Sequence, residues 1–314
     1  MKFSEVADLL RGQDKVLILT HRRPDGDTLG SAAALCRMLR DLGKTAYMLK
    51  NFGTIHLFAS YVEPYGAPEG FKPSFVVSVD TASLDLIQEN GMGYADGIDL
   101  AIDHHPSNSR YAKKTYVDPK SASCGEVIYA LARELTELTR EIALPLYLAV
   151  STDTGCFRYG NTTAQAHRVA AELMDTGIDA YAVNKAVFST KTFKRLKLEA
   201  MLFEGLELYD GGTVAVAVLT RDMMNRVGAT EDDADDLAAF ARQVEGVDVG
   251  VTIRELDPGS CKISLRSSPA VNSSKVCALL GGGGHAAAGG CTVEGTVDEA
   301  KEAILKALDT VWKR

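Results

Sequence analysis

Short apolar runs alternate with helix-like segments along the first half of the chain. Continuous apolar stretches at residues 15–20, from 45 onward, and ending at Asp80 and Asp103 have the pattern of buried strands. Residues 31–42 carry leucine and methionine at helical spacing and are followed by a glycine, a common end of a helix. This alternation predicts an α/β fold with a parallel sheet covered by helices.

The second half has a different pattern. A stretch with helical spacing at 181–208 is predicted to connect two domains, and three strand-like runs follow at 213–220, 247–256 and 261–268. An amphipathic helix is predicted over 297–312, whereas the run PLYLAVSTDTG is ambiguous between a buried helix and a strand. The pattern as a whole predicts three parts: an α/β domain over 1–188, a helical connector over 189–209 and a smaller mixed α/β domain over 210–314.

Composition limits the kind of partner. The formal net charge of −8 argues against a broad basic surface for long duplex nucleic acid, but it allows a small anionic ligand held by a few local cations. No apolar run reaches the roughly 18 residues of a membrane span, and the N-terminus lacks an apolar signal core. The six cysteines show no C-x-x-C spacing, so we expect a reduced, cytoplasmic setting.

The segment HRRPDGDTLGS, residues 21–31, links a predicted strand to a predicted helix. It presents His21, Asp25 and Asp27, with a glycine between the two carboxylates that permits a tight turn. Two like charges on one short loop are unfavourable unless a cation neutralises them, which favours a metal site. The alternative is a polar loop in which Asp27 caps the following helix.

Further acidic and imidazole side chains follow later elements. Asp80 and Asp103 end apolar runs, His104 and His105 come directly after Asp103, and Asp153 lies in a stretch rich in Gly and Thr. Adjacent side chains of extended backbone point to opposite faces, so we expect one histidine to bind a metal and the other to face a different part of the site. Asp103 is expected to orient a ring nitrogen.

The assembled set contains four carboxylates and two imidazoles that come from four separate strand or helix ends. Such nitrogen and oxygen donors suit Mn²⁺, with Mg²⁺ or Co²⁺ as alternatives, and the absence of thiolates argues against a structural zinc site. Because four carboxylates exceed the need of one divalent ion, two ions with one bridging carboxylate are expected. The predicted ligands are His21, Asp25, Asp27, Asp80, His104 and Asp153.

The run GGGGHAAAGG, residues 281–290, is the main signal of the second half. Consecutive glycines let backbone N–H groups approach an anion, and a helix is expected to begin just after the run. His285 would act as a donor there, and Arg266 could bind a phosphate with its fork of donors. A flexible connector and a surface arginine are the alternative interpretations.

PDGD, DHH and GGGGHAAAGG, in this order, closely resemble the DHH phosphoesterase superfamily that carries the type 1 DHH-associated domain. The resemblance covers nearly the whole chain and points to the branch of bifunctional oligoribonucleases (nanoRNases) and 3'-phosphoadenosine 5'-phosphate phosphatases. It implies a doubly wound catalytic domain, a smaller substrate-binding domain and an active site in the cleft between them.

Residue by residue, the resemblance implies one Mn²⁺ site formed by His21, Asp25 and Asp80. The other would be formed by Asp27, Asp80, His104 and Asp153, so that Asp80 bridges. His105, oriented by Asp103, would contact the scissile phosphate or assist the leaving group. The substrate's phosphates would be held by Arg266, Gly283, Gly284 and His285.

The resulting prediction is a two-metal phosphoesterase that cleaves short oligoribonucleotides to 5'-mononucleotides and 3'-phosphoadenosine 5'-phosphate to AMP and phosphate. A phosphodiesterase for linear or cyclic dinucleotides is the first alternative; the chain lacks the sensory and membrane segments that often accompany such enzymes. A non-catalytic nucleotide-binding regulator is the second. No long duplex and no membrane are expected as partners, and a homodimer is left open.

Overall fold

A computed structural model of the chain describes residues 1–234 and 237–312. It divides into two compact units, Met1–Thr190 and Lys191–Arg314. Within the described residues, no helix has both the length and the apolar character needed to cross a bilayer.

The first unit is built on a five-stranded parallel sheet with the order β2-β1-β3-β4-β5. This confirms the α/β class that the sequence predicts. Its strands are β1 (Val16–Leu19), β2 (Ala46–Met48), β3 (Phe75–Val79), β4 (Leu100–Asp103) and β5 (Lys114–Val117). Its helices are α1 (Phe3–Arg11), α2 (Gly26–Asp41), α3 (His56–Val62), α4 (Cys124–Leu135), α5 (Arg140–Asp153), α6 (Ala164–Asp175) and α7 (Ala180–Asn184). Short 3-10 segments span Glu63–Tyr65, Leu84–Leu86 and Glu89–Gly97, and a π turn spans Lys185–Ser189.

Both faces of this sheet are covered, which explains why β1, β3 and β4 are buried along their whole length. Ile18 and Val77 point into the large core formed with the helices. Leu17 and Val76 point to the opposite face, where their neighbours come from the 3-10 segments and loops, such as Ile87. Because the strands are parallel, their C-terminal ends lie along one edge of the sheet. Packing on both faces holds the strands in place.

Helix α5 resolves the segment that the sequence left ambiguous. PLYLAVSTDTG belongs to a helix that begins at Arg140, five residues before Pro145, and ends at Asp153. The helix is buried along most of its length because it packs closely against α2. A Cβ atom at Gly30 of α2 would lie 2.2 Å from the backbone oxygen of Pro145, so the two helices touch backbone to backbone.

The second unit contains a six-stranded mixed sheet with the order β10-β11-β9-β8-β7-β6, in which only β7 and β8 run parallel. Its strands are β6 (Glu207–Tyr209), β7 (Val214–Leu219), β8 (Val249–Asp257), β9 (Ser260–Ser267), β10 (Gly283–Gly284) and β11 (Ala288–Glu294). Its helices are α8 (Phe193–Glu204), α9 (Arg221–Val227), α10 (Glu231–Ala234), α11 (Ser273–Ala278) and α12 (Val297–Val311), and 3-10 segments span Asp210–Gly212 and Leu237–Gln243.

The helical stretch predicted over 181–208 is interrupted in the structure. Helix α7 and the π turn close the first unit, and α8 begins afresh at Phe193 with Thr192 as its N-cap. Leu198 and Leu202 of α8 are fully buried against the second unit's Ala215. These two leucines lie one helical turn apart, so α8 is part of the second unit's core.

The glycine-rich run forms a β-hairpin. Gly283 and Gly284 pair with Gly290 and Gly289, and His285 lies in the turn that joins the two strands. The expectation that a helix begins just after the run is wrong, because strand β11 follows it and helix α11 precedes it. Adjacent strands approach so closely here that a Cβ atom at Gly284 would lie 2.4 Å from the oxygen of Ala288.

Candidate metal centre

Asp25 begins helix α2. Its Oδ1 accepts hydrogen bonds from the backbone N–H groups of Asp27 and Thr28 at 3.0 and 3.1 Å. The helix therefore starts at Gly26, and the cap is Asp25, whereas the sequence alternative assigned capping to Asp27. His21, which follows β1, places its Nε2 3.5 Å from the same Oδ1 of Asp25.

Asp27 is buried and held by the first turn of another helix. Its Oδ2 accepts from the N–H of Cys124 at 2.7 Å, and its Oδ1 accepts from the N–H of Gly125 at 2.9 Å and from Ser31 Oγ at 3.0 Å. Both donating N–H groups belong to the N-terminus of α4, where partial positive charge favours an anion. Asp27 is thus fixed in place by a segment almost a hundred residues away.

Asp80 lies at the centre of the cluster. It follows β3 with a left-handed backbone, φ 54°, and its side chain is 2% exposed. Its Oδ1 lies 3.5 Å from His104 Nε2 and 3.5 Å from His105 Nδ1, and its Oδ2 lies 3.8 Å from His21 Nε2. Oδ1 is buried and has no hydrogen-bond partner among the described residues. A buried carboxylate oxygen without a donor is costly, so this oxygen is suited to bind a cation.

His104 presents a lone pair to three carboxylates. Its Nδ1 lies 3.2 Å from the backbone oxygen of Ser121, which can only accept, so Nδ1 carries the proton. Burial, with the nearby charge of His105, lowers the pKa of His104 and keeps the ring neutral. Its buried Nε2, unpaired within the described residues, therefore faces Asp27 Oδ2, Asp80 Oδ1 and Asp153 Oδ2 at 3.8, 3.5 and 3.6 Å. Acceptors that converge without a donor form a cation site.

His105 is oriented by Asp103. Its Nδ1 is 2.8 Å from Asp103 Oδ1, and the backbone N–H groups of His104 and His105 donate to the same oxygen. Burial alone would lower the pKa of His105, but the hydrogen bond and charge of Asp103 outweigh it and raise the pKa. Burial opposes ionisation of Asp103 as well, yet the same hydrogen bond holds its pKa below the usual value.

The two histidine rings lie on the same side of the chain. Their centroids are 4.4 Å apart, and both rings approach Asp80. The two side chains do not point to opposite faces as they would on an extended strand, and both histidines lie beyond β4, which ends at Asp103.

Two asparagines that the sequence reasoning missed support the cluster. Asn108 donates its Nδ2 to Asp103 Oδ2 at 2.6 Å and to the backbone oxygen of Thr81 at 3.1 Å. Asn161 donates to the backbone oxygen of Asp153 at 3.0 Å. The only sequence signal for Asn108 was an amide side chain five residues beyond Asp103 in the same short loop.

Asp153 ends helix α5 beside the first turn of α2. A Cβ atom at Gly26 would lie 2.4 Å from the side chain of Thr152, so the glycine is what lets the two helix ends meet. Burial and the nearby charge of Asp25 raise the pKa of Asp153 to about 7. The carboxyl terminus of a helix further disfavours a negative charge, so a cation is the natural partner of this side chain.

The structure thus brings all six predicted ligands together in two groups whose ligand atoms lie within 4.8 Å of one another: His21, Asp25 and Asp80, and Asp27, His104 and Asp153. A third group of the same kind is formed by Asp80, His104 and His105. Burial, followed by the other carboxylates, raises the pKa values of Asp27 and Asp80 well above normal. This donor set, with its unpaired buried atoms, fits divalent ions and fits no apolar ligand.

The residues predicted in the second unit lie around the glycine hairpin. Arg266 of β9 pairs with Ala288 of β11, and its Nη1 donates to the backbone oxygen of Leu265 at 3.0 Å. His285 is exposed in the turn, and its backbone N–H donates to the backbone oxygen of Ala288 at 2.7 Å. The hairpin therefore brings Arg266, Gly283, Gly284 and His285 to one end of the mixed sheet.

Two family models match the chain: the DHH family, N-terminal domain, over residues 15–150 and the DHHA1 domain over residues 211–314. A bifunctional oligoribonuclease and PAP phosphatase NrnA of Thermus thermophilus is 34% identical over 311 residues, which are 98% of this chain and 93% of that protein. A cyclic-di-AMP phosphodiesterase PdeA of Listeria monocytogenes is 24% identical over 98% of this chain and 49% of that protein. Among solved structures, an exopolyphosphatase-related protein from Bacteroides fragilis shares the fold, with a TM-score of 0.88 at 23% identity over 98% of this chain and 95% of that chain.

Proposed function

This chain belongs to the DHH family, and we propose that it is a two-metal phosphoesterase that hydrolyses short oligoribonucleotides to 5'-mononucleotides. We propose also that it converts 3'-phosphoadenosine 5'-phosphate to AMP and phosphate. The observation that carries the proposal is Asp80, whose two oxygens face separate groups of histidine and aspartate ligands.

His21, Asp25 and Asp80 would hold one ion, and Asp27, His104 and Asp153 would hold the other, with Asp80 contributing to both. When bound, the ions would polarise the phosphoryl oxygens and make water a stronger nucleophile near neutral pH. Mixed imidazole and carboxylate donors favour Mn²⁺, and Mg²⁺ or Co²⁺ are the alternatives. His104 is prepared for this role because the carbonyl of Ser121 fixes its tautomer.

His105 would hold a proton for the leaving oxygen. Asp103 engages its Nδ1 and raises its pKa, so a protonated ring would carry its second N–H at Nε2. That N–H can donate to the scissile phosphate or to the departing 3'-oxygen. Asn108 fixes Asp103 from the other side, so the ring orientation does not depend on the substrate.

The second unit would supply groups that recognise the phosphates of the substrate. Arg266 can present a bidentate fork to a phosphate, and His285 with the backbone of Gly283 and Gly284 can add further donors. A few such cations are enough for a short substrate on a chain whose net charge is −8.

Linear or cyclic dinucleotides are the second candidate substrates. The similarity to the phosphodiesterase PdeA over nearly the whole of this chain favours testing them, although that protein is about twice as long.

One substrate panel tests these proposals. The protein is assayed with Mn²⁺ on 5'-phosphorylated RNA of increasing length, 3'-phosphoadenosine 5'-phosphate, and linear and cyclic dinucleotides. Asp80→Asn is the inactivating variant, because asparagine tolerates the left-handed backbone and removes only the charge. Asp96→Ala, an exposed carboxylate outside the cluster, is the matched control.

We expect 5'-mononucleotides from the shortest RNAs, phosphate from the bisphosphate nucleotide, and a loss of roughly a hundredfold or more in kcat for Asp80→Asn. Preference for dinucleotides over all other substrates would favour the second candidate. Nucleotide binding without hydrolysis under any metal would overturn the proposal in favour of a regulator.

A further inference from the structure

A short loop, residues 49–53, is fastened to the backbone of the proposed metal ligand His21. Asn51 donates its Nδ2 to the backbone oxygen of His21 at 2.8 Å and to Thr20 Oγ1 at 2.8 Å. Its Oδ1 accepts from the N–H of Gly53 at 2.9 Å. All these hydrogen bonds are made by the buried side chain of Asn51, which therefore holds the loop against the segment that contains His21.

A buried glutamine, Gln88, also links the segment before His21 to the loop at residues 49–53. Gln88 accepts from the N–H and the hydroxyl of Thr20 at 3.0 and 2.8 Å and donates to the backbone oxygen of Lys50 at 3.1 Å. Gly53 packs so tightly on the His21 loop that a Cβ atom would lie 2.9 Å from the oxygen of Arg22. The backbone on both sides of the residue between Asn51 and Gly53 is therefore held in place.

That residue is Phe52, and its ring is presented to solvent. Phe52 is 77% exposed, although the backbone on either side of it is anchored. The ammonium of Lys50 lies 5.7 Å from the ring centroid, and Arg22 and Arg23 of the adjacent loop are also exposed. Arg22 interacts with the charge of Asp85, whereas Arg23 and Lys50 make no ion pair with any carboxylate in the described part of the chain.

An exposed aromatic ring on a well-held backbone, with cations nearby, is suited to bind one nucleotide of a single strand. The ring offers a face on which any nucleobase can stack, and the cations match the phosphodiester that leads to it. A protein ligand is a poorer match, because one ring and two or three cations provide no extended apolar surface.

We propose that Phe52 stacks on one nucleobase of a short oligonucleotide substrate and that Arg23 and Lys50 contact its backbone. This rests on the proposed function and deepens it, because it assigns a base-recognition subsite on the catalytic unit itself. The subsite is tolerant of sequence, since stacking reads the face of a base and not its edge.

The test compares Phe52→Ala with wild-type protein on a 5'-phosphorylated diribonucleotide and on two analogues, each lacking one of the two bases. We expect Phe52→Ala to lower kcat/KM about tenfold on the intact dinucleotide, through KM and with kcat nearly unchanged. With one of the two abasic analogues the variant and the wild type should be equally active, because the stacking partner is already missing. Phe52→Trp should restore the wild-type KM.

Tyr181→Ala is the matched control. Tyr181 is 72% exposed and has a lysine, Lys185, 5.9 Å from its ring, but it lies on helix α7. Stacking is also followed directly with a hydrolysis-resistant dinucleotide that carries 2-aminopurine, whose fluorescence falls when the base stacks. Wild type and Tyr181→Ala should quench the probe, and Phe52→Ala should not.

The outcomes separate this inference from the proposed function. If wild-type protein hydrolyses the dinucleotide while Phe52→Ala keeps the same KM and quenches the probe equally, the subsite is refuted and the proposed function stands. If the wild-type protein hydrolyses no substrate of the panel, the proposed function fails instead. An equal loss on the intact dinucleotide and on both abasic analogues would also overturn the stacking role.

Discussion

At the level of single residues, the site is marked by buried hydrogen-bond acceptors whose burial costs free energy unless a cation binds them. Asp80 Oδ1 and His104 Nε2 are buried, lack hydrogen-bond donors within the described residues, and lie 3.5 Å apart. An ordinary polar network would place a donor between two such acceptors. A divalent ion satisfies both, and its charge offsets the burial and the repulsion between carboxylates that raise the pKa values of Asp27 and Asp80.

In the metal-free protein, Asp153 gives a pH test of the cost of burying a carboxylate close to the charge of Asp25. Its pKa is raised to about 7 in the folded chain, so the folded state binds a proton that the unfolded state has already released. Stability therefore falls as the pH rises from about 4 to about 7 and stays low above that range. In EDTA at pH 8, Asp153→Asn should raise Tm by roughly 2–4 °C for each kcal/mol of repulsion removed, with little change at pH 4.

Asp175→Asn is the control for that experiment, because Asp175 also ends a helix of the first unit but is exposed. Scanning calorimetry across pH should show no comparable gain for this variant. A lower Tm for Asp153→Asn than for wild type at pH 8 in EDTA would contradict the assignment. Saturating Mn²⁺ should reverse the order, because only the wild type retains the full ligand set.

At the scale of elements, the site depends on how closely α2 and α5 approach. Gly30 lies against the backbone of Pro145, and Gly26 lies against Thr152, so small residues line the helix contact. Asp25 caps α2, Asp27 lies in the first turn of α2, and Asp153 lies in the last turn of α5. The helix pair thus sets the spacing between ligands that are far apart in sequence.

Gly30→Ala should disturb both stability and metal binding. The added methyl would sit 2.2 Å from a backbone oxygen, which cannot move away as a flexible side chain could. Overpacking of this kind costs about 1–3 kcal/mol, and the separated helices should weaken Mn²⁺ binding measured by titration calorimetry. Gly97→Ala is the control, because a Cβ atom there meets no atom within 4 Å. Unchanged stability and affinity in Gly30→Ala would show that the helix contact can relax.

Element types were predictable where short continuous apolar runs mark buried strands, and less so elsewhere. The apolar runs of β1, β3 and β4 predicted buried strands because both faces of the sheet are covered. The glycine-rich run carried no such period, and its hairpin follows from pairing with residues brought close by the fold. PLYLAVSTDTG was ambiguous because a fully buried helix is apolar all round.

At the level of the whole molecule, the six ligands and the proposed phosphate-binding groups Arg266 and His285 belong to different units. All six ligands lie within Met1–Thr190, and Arg266 and His285 lie within Lys191–Arg314. Each unit has its own apolar core, so each has the means to fold separately. Metal binding by the first unit should therefore be separable from phosphate binding by the second.

The first unit, expressed alone as residues 1–190, should fold and bind two Mn²⁺ ions with an affinity close to that of the full chain. Its kcat/KM on dinucleotides should fall about a hundredfold or more, because the phosphate-binding groups are missing. Titration calorimetry and the substrate panel measure the two properties. The same fragment with Asp80→Asn is the control and should bind metal weakly. A fragment with full activity would refute the assigned role of the second unit.

From the sequence alone, four of the five parallel strands and the polar residues at their ends could be predicted, because each buried strand is a local apolar run; β5 (Lys114–Val117) has no such run and was not predicted. The roles of the individual side chains could be seen only in the folded structure. Asp25 caps α2, and Asp27 accepts hydrogen bonds from the N-terminus of α4. Both histidines approach Asp80, and Asn108 donates a hydrogen bond to Asp103. These roles rest on contacts between distant segments, such as Asp27 with Cys124. The spacing of residues along a chain cannot encode such contacts until the sheet and its helices have packed.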